Sequence, residues 1–296
     1  MGINYNQALI NSEQYQITEL QNQFKQLVSQ GHPIINCTIG DPIDNTPTTV
    51  RNALKNSVNK NSQYPQYTGK DDLKTAICDS LNNNYACNLK PEHIISCNGT
   101  KEAIYSFPDA FDWSSGQHIC IPSISYPIYQ MSANYKQIKS VILELNEANN
   151  YLPVLSDIPK DVLKNTQIFW LNSPHNPTTT IAPKDYIEQL LQLAQTYNFI
   201  VCSDECYNDL YYNQKPTSVL EFDSTHWVCF RSLSKRSHMT GYRSGAIVTK
   251  NTTLLNHLKK LRSPMGIGTP TFVQNAAIAA WKDERHVKKH RNQYQN

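Results

Sequence analysis

Lys235 lies between two apolar runs, Trp227-Val-Cys-Phe230 and Ala246-Ile-Val-Thr249, with Ser232 and Ser234 before it and Arg243 eight residues after it. Both runs read as buried strands. An amine at a strand end, flanked by hydroxyls and a guanidinium, suits a molecule that carries both an aldehyde and a phosphate. Lys235 is a candidate Schiff-base lysine, and Ser232, Ser234 and Arg243 are candidate phosphate ligands. Pyridoxal phosphate (PLP) meets both demands. A surface turn rich in Ser, Lys and Arg would explain this stretch taken alone, so the rest of the chain has to decide.

Three further polar clusters also follow apolar runs: Asn98-Gly99-Thr100, Asn172 to Asn176, and Asp204-Glu205. Each offers something a PLP ring needs. Gly99-Thr100-Lys101 supplies a small residue, a hydroxyl and the backbone N–H groups of a helix start for the phosphate. Asp204 is a carboxylate for the ring nitrogen, since a buried Asp needs a cationic partner. Tyr207 and Asn176 are candidate donors to the ring hydroxyl, and Tyr126 is a flat partner for the ring face. Each has a plainer alternative: a common strand-to-helix turn, an Asp as helix N-cap, a core tyrosine, and turn packing beside Pro127. Their joint occurrence, each after a strand, is what carries weight.

The elements that must position these groups alternate. Pro33–Ile39, Ile94–Cys97, His118–Ile121, Ser140–Leu145, Ile168–Leu171 and Phe199–Cys202 read as strands, besides the two around Lys235. Helices are predicted over 47–60, 73–84, 101–111 and 183–197, the last with a stripe of Ile187, Leu190, Leu191 and Ala194. Continuous apolar strands between helices predict an α/β fold with a mainly parallel sheet buried on both faces. In such sheets ligands bind beyond the carboxyl ends of the strands. Residues up to His32 read as an arm with one amphipathic helix, its face formed by Leu20, Phe24, Leu27 and Val28.

Composition narrows the function classes. The chain has 296 residues, 39% hydrophobic, with a net charge of +3, so neither nucleic acid nor an acidic membrane surface is an implied partner. Eight scattered cysteines form no CxxC pair, and no metal site is expected. With no basic leader and no apolar run of spanning length, a reducing cytoplasm is the expected location.

Taken together, Tyr64-Pro-Gln-Tyr-Thr-Gly69, Asn98-Gly-Thr-Lys-Glu-Ala103, Ser173-Pro-His-Asn-Pro-Thr178, Ser203-Asp-Glu-Cys-Tyr207 and Ser232-Leu-Ser-Lys235 with Arg243 resemble the class I, fold-type I PLP aminotransferases from about Ile39 onward. Within that class the chain is most similar to the bacterial N-succinyl-diaminopimelate aminotransferases. The resemblance implies a three-layer PLP-binding large domain over 46–296, with 1–45 an arm and part of an incomplete small domain. It also implies that Lys235 binds PLP and shuttles the proton from Cα to C4′, and that Asp204 pairs with N1. Asn176 and Tyr207 then hold O3′, and Tyr126 stacks on the ring. Ser232, Thr100, Arg243 and the Gly99–Lys101 backbone bind the phosphate, Tyr64 reaches the cofactor of the neighbouring subunit in a homodimer, and Gly40 lies against the substrate carboxylate. The implied substrates are an amino acid, N-succinyl-diaminopimelate, and 2-oxoglutarate, in lysine biosynthesis. A PLP-dependent C–S lyase on the same fold, or a non-catalytic PLP-binding remnant, is the alternative.

Two departures from the family pattern stand out. Thr179 replaces the usual glycine after Asn-Pro-Thr, so that turn is expected to avoid a positive φ. The chain also ends at Asn296, before the segment in which the family carries its carboxylate-binding arginine. The expectation is a protein that binds PLP but transaminates poorly.

Overall fold

The alternating apolar runs become strands because each finds a hydrogen-bonded neighbour. The computed structural model describes residues 2–10, 16–59 and 63–295. The strands are β1 (Ile94–Cys97), β2 (His118–Pro122), β3 (Ser140–Leu143), β4 (Thr166–Asn172), β5 (Ile200–Asp204), β6 (Trp227–Ser232) and β7 (Gly245–Val248). They form one seven-stranded sheet in the order β1-β7-β6-β5-β4-β2-β3. The pairs from β3 through β6 are parallel. β7 alone is antiparallel to both its neighbours, β1 and β6. Two reversals cancel, so β1 points the same way as β6, and the carboxyl ends of β1, β4, β5 and β6 share one edge.

The described helices are α1 (Gln7–Ile10), α2 (Gln16–Ser29), α3 (Thr48–Asn56), α4 (Asp71–Tyr85), α5 (Thr100–Ser106), α6 (Ile128–Tyr135), α7 (Lys160–Asn165), α8 (Lys184–Tyr197), α9 (Leu233–Arg236), α10 (Thr252–Arg262), α11 (Thr271–Lys282) and α12 (Glu284–Gln295). They make the outer layers. Phe169 and Leu171 of β4 and Trp227 and Cys229 of β6 pack with Leu73, Ile77, Ile187 and Ala276 of α4, α8 and α11. The alternate residues Ile168, Trp170, Val228 and Phe230 pack with Ile104, Tyr129 and Leu258 of α5, α6 and α10. The period-2 alternation of each strand therefore feeds two cores, one per face. The predicted stripe of α8 is buried in full.

Three expectations need correction. Pro33–Ile39 is irregular rather than a strand. Among the described residues no neighbouring strand takes up its backbone, and Ile35 is 89% exposed. The helix expected over 101–111 stops at Ser106, and a 3₁₀ turn, Phe107–Ala110, takes over where Pro108 cannot supply a helical N–H. Helix α3 ends at Asn56; Lys60, its expected end, lies outside the described residues, as do Met1 and Asn296. On α2, Leu20, Leu27 and Val28 are exposed and Phe24 is half-buried. No helix of the described residues is long and apolar enough to cross a membrane.

Helix α12 is secured by histidines against Ser237 and His238, which directly follow α9. The rings of His238 and His290 stack at 3.6 Å, His286 lies 5.5 Å from His290, and Ser237 Oγ is 2.8 Å from His286 Nε2. All three histidines are buried. Burial, with Arg236 and the neighbouring rings adding to it, pushes the His286 imidazole down to about 4, against an ordinary 6.5; Asp283 opposes this. Burial likewise lowers His238 and His290, with Asp44 acting the other way on both. The unfolded chain binds these protons at higher pH than the folded one, so stability is fully present above about 6.5 and lost as pH falls toward about 4. Urea midpoints measured at steps from pH 7.5 to 4.5 should fall over that window. The fall should be shallower in His286→Gln, and an equal slope in the variant would remove His286 as a cause.

Candidate active site

The shared edge of β1, β4, β5 and β6 opens onto a cavity of about 580 Å³. Gly40, Thr100, Lys101, Tyr126, Asn176, Asp204, Tyr207, Ser232, Ser234, Lys235 and Arg243 all line it. The structure thus brings together every sequence-predicted site residue except two. Gly99 sits just behind the wall, and Tyr64 is fully exposed, outside this cavity.

The floor is Asp204, the last residue of β5, only 5% exposed. Its Oδ2 accepts from Tyr129 Oη at 2.7 Å, and its Oδ1 from the Cys206 backbone N–H at 3.3 Å. Burial pushes this carboxyl up, and the hydrogen bonds from Cys206 and Tyr129 only partly offset it. Among the described residues no ion pair reaches it. Tyr129 is held in turn by a stack on Trp170, centroids 4.4 Å apart. Tyr126 meets Tyr129 edge-on at 5.9 Å.

Lys235 lies in the single turn α9, opened by Ser232, whose Oγ accepts from the Ser234 N–H at 3.1 Å. Its Nζ donates to the Gly40 carbonyl. Burial holds the ammonium below its ordinary range, while Asp41 and Cys206 pull the other way. Tyr207, three residues past Asp204, has its phenol pushed up to about 12 by burial, with Cys206 and Asp204 adding to the effect. Asn172 fixes the facing loop: its Nδ2 donates to the Asp204 carbonyl at 2.8 Å, and its Oδ1 accepts from the Asn176 N–H at 2.7 Å.

The remaining wall is built to leave room. Gly99 has φ +80°, and a Cβ there would fall 2.4 Å from Arg243 Nη2. The Arg243 guanidinium therefore lies directly over the Gly99 backbone. Arg243 itself is left-handed, φ +54°, and its Nη1 donates to the Thr240 carbonyl at 2.7 Å. Thr100 Oγ1 lies 3.2 Å from Cys206 Sγ.

Residues 32–296 match the family described as aminotransferase class I and II. The chain belongs to the class I and II aminotransferases. It is 34% identical over 287 residues to the LL-diaminopimelate aminotransferase of Aquifex aeolicus, covering 95% of this chain and 74% of that one. It is 33% identical over 276 residues to the enzyme of the same name from Oleidesulfovibrio alaskensis, covering 91% and 71%. Among solved structures, a substrate-bound BacF from Bacillus subtilis superposes with TM-score 0.93 at 26% identity, covering 100% of this chain and 76% of that one. An aminotransferase from Neisseria meningitidis gives 0.89 at 27%, covering 98% and 77%. The fold-type I architecture and PLP-dependent transamination are thereby established for this aminotransferase.

The residues fit PLP. A buried carboxylate without a cation, an amine with lowered proton affinity and a glycine pressed against a guanidinium match a pyridinium, an aldehyde and a phosphate in turn. Sequence reasoning missed Tyr129 and Asp41, and gave no individual role to Asn172 or Cys206 within their polar cluster and motif. Tyr129 follows Tyr126 by one helical turn, and that spacing is the signal that could have found it. The expectation for Thr179 is corrected: it adopts φ +63° despite its Cβ. His175, with Nδ1 2.7 Å from Thr178 Oγ1 and Nε2 3.0 Å from the Ile124 carbonyl, pins the same loop and makes the strained turn tenable.

Gly99→Ala should insert a methyl group into the Arg243 guanidinium and add roughly 1–3 kcal/mol of backbone strain, since φ +80° with ψ 151° is a conformation that essentially only glycine adopts. PLP affinity, measured by titrating the apo-protein, should fall by about tenfold or more. Unchanged affinity would mean that the Gly99–Arg243 contact plays no part in holding the cofactor.

Proposed function

We propose that this transaminase exchanges an amino group between diaminopimelate, in its free LL form, and 2-oxoglutarate, as a step of lysine biosynthesis. The similarity, at 34% identity over nearly the whole chain, to a relative named for LL-diaminopimelate carries this reading. N-succinyl-diaminopimelate, which the motif resemblance suggests, is the second reading, and the two differ in whether the distal amino group is acylated.

When bound, PLP supplies an aldehyde that takes up the amino group and a protonated ring that accepts the electron pair left at Cα. The residues divide the remaining work. Asp204 holds the proton on the ring nitrogen, and the cation it meets there removes the desolvation penalty of its burial. Tyr207 and Asn176 donate to the ring hydroxyl, and Tyr126 covers the ring face. Thr100, Ser232, Arg243 and the Gly99–Lys101 backbone bind the phosphate. Lys235 carries the proton between Cα and C4′, a task that needs a neutral amine, and its burial favours that form. Gly40, already within reach of Lys235, lies against the substrate carboxylate. We further infer a homodimer in which the exposed Tyr64 reaches the partner's phosphate, with 1–45 as arm and small-domain portion and 46–296 as PLP-binding domain.

Borohydride reduction of the PLP-loaded protein should leave a pyridoxyl label on Lys235, located by peptide mass spectrometry. A label on Lys101 instead would overturn the assignment. In a panel of amino donors with 2-oxoglutarate, LL-diaminopimelate should give the highest kcat/KM, ahead of aspartate, alanine and tyrosine. Preference for the N-succinyl form would select the second reading, and preference for aspartate would sink both.

A further inference from the structure

One ion pair, a buried arginine on a half-buried glutamate, stands beside the cofactor cavity without contributing a lining residue. Glu102 lies in the first turn of α5, directly after the Asn98–Lys101 turn. Its Oε1 accepts from the Asn98 backbone N–H at 2.7 Å and from Arg262 Nη2 at 2.8 Å. Its Oε2 accepts from Arg262 Nη1 at 3.0 Å. Arg262 arrives from α10, 160 positions along the chain, and its side chain is 1% exposed. On α10 the buried residues are Leu254, Leu255, Leu258 and Arg262. Arg262 thus occupies the next place on an apolar stripe, where a leucine would serve packing better. Among the described residues its Nε has no partner, and its pairing there runs through the fork to Glu102.

A carboxylate at this position has two opposite effects. By accepting from Asn98 it closes the turn that holds Gly99 at φ +80° under the Arg243 guanidinium. Left as a bare anion, it would also repel a phosphate bound one turn away. A bidentate arginine resolves the conflict: it orients the carboxylate and cancels its charge. We infer that Glu102 and Arg262 are positioning residues for the cofactor phosphate, the carboxylate shaping the Asn98–Lys101 turn and the arginine neutralising it. The inference rests on that turn being the phosphate site, as argued above.

The test separates a phosphate-specific role from a general staple between α5 and α10. Dissociation constants of the apo-protein for PLP and for pyridoxal, which has the same ring and aldehyde without the phosphate, are measured together with Tm. Arg262→Met should weaken PLP by about tenfold or more, and more at low ionic strength, while pyridoxal changes by less than about twofold. Glu102→Gln/Arg262→Met, which removes both charges and leaves an amide oxygen for Asn98, should recover most of the PLP affinity. Arg262→Lys keeps the cation and loses the fork, and covers the case in which the methionine variant does not fold. It should hold the PLP-to-pyridoxal ratio within about threefold of wild type even as Tm drops. Parallel losses for PLP and pyridoxal, an unchanged ratio in Arg262→Met, or a collapsed ratio in Arg262→Lys would overturn the inference. A wild-type protein that binds pyridoxal as tightly as PLP would instead overturn the phosphate assignment itself.

Discussion

The charge of Arg231, buried in the centre of the sheet edge, constrains everything around the site. Its side chain is 1% exposed, yet its Nη1 reaches Glu205 at 3.1 Å and its Nη2 reaches Asp209 at 2.9 Å and Tyr85 Oη at 3.1 Å. Glu205 is saturated in turn by Ser203, Asn208, Ser218 and the Val219 N–H. Burial alone would raise Asp209, but Arg231 and Arg236 outweigh it and hold the carboxyl below its usual range. A guanidinium at this depth is tolerable only with all its partners in place, and removing one partner of such a pair costs about 3–5 kcal/mol. A well-packed apolar set could match the network in stability. What the ions add is registration. Arg231 and Glu205 are the immediate neighbours of Ser232 and Asp204, so fixing the first pair fixes where the second pair faces.

That registration matters because the site is assembled from strand ends rather than from one segment. Asp204 and Ser232 end adjacent parallel strands, Asn172 ends the next, and the Gly99 turn ends a strand two places away on the other side. The insertion of β7, antiparallel to both neighbours, separates β1 from β6 by one strand width without reversing it. Arg243, at the approach to β7, can therefore bridge the gap and cover Gly99. A parallel β7 would have carried its N-terminal approach, and Arg243 with it, to the opposite edge.

Much of this was readable in the chain, for a physical reason. A strand buried on both faces must be continuously apolar, and polar residues just after it must lie at the carboxyl edge; all four polar clusters obeyed this. What escaped notice depended on partners far away in sequence. Pro33–Ile39 has the composition of a strand but no neighbouring strand to pair with among the described residues. Tyr129 reads as core until Asp204 is found 2.7 Å from its hydroxyl. Arg231 and Arg262 sit within apolar patterns, where a lone charge looks anomalous until Glu205 and Glu102 close on them. Thr179 shows the converse: local chemistry argued against a positive φ, and the loop pinned by His175 imposed one.

The phosphate end of the site shows where the fold has placed its strain. Gly99 and Arg243 both have a positive φ, +80° and +54°, and they face each other. The glycine adopts that conformation freely, whereas the arginine does so at a cost of roughly 1–2 kcal/mol. Arg243 is held there by the 3₁₀ turn Thr240–Tyr242, whose Thr240 carbonyl accepts from its guanidinium. The same bend lays the solvent-exposed side chain back over Gly99. One hydrogen bond to a charged donor offsets a strain of this size. The guanidinium is thus tethered over Gly99 by one hydrogen bond, so a phosphate entering the turn has less of this arginine to order. The strained residue is found at the contact where ordering a long charged side chain would otherwise cost most.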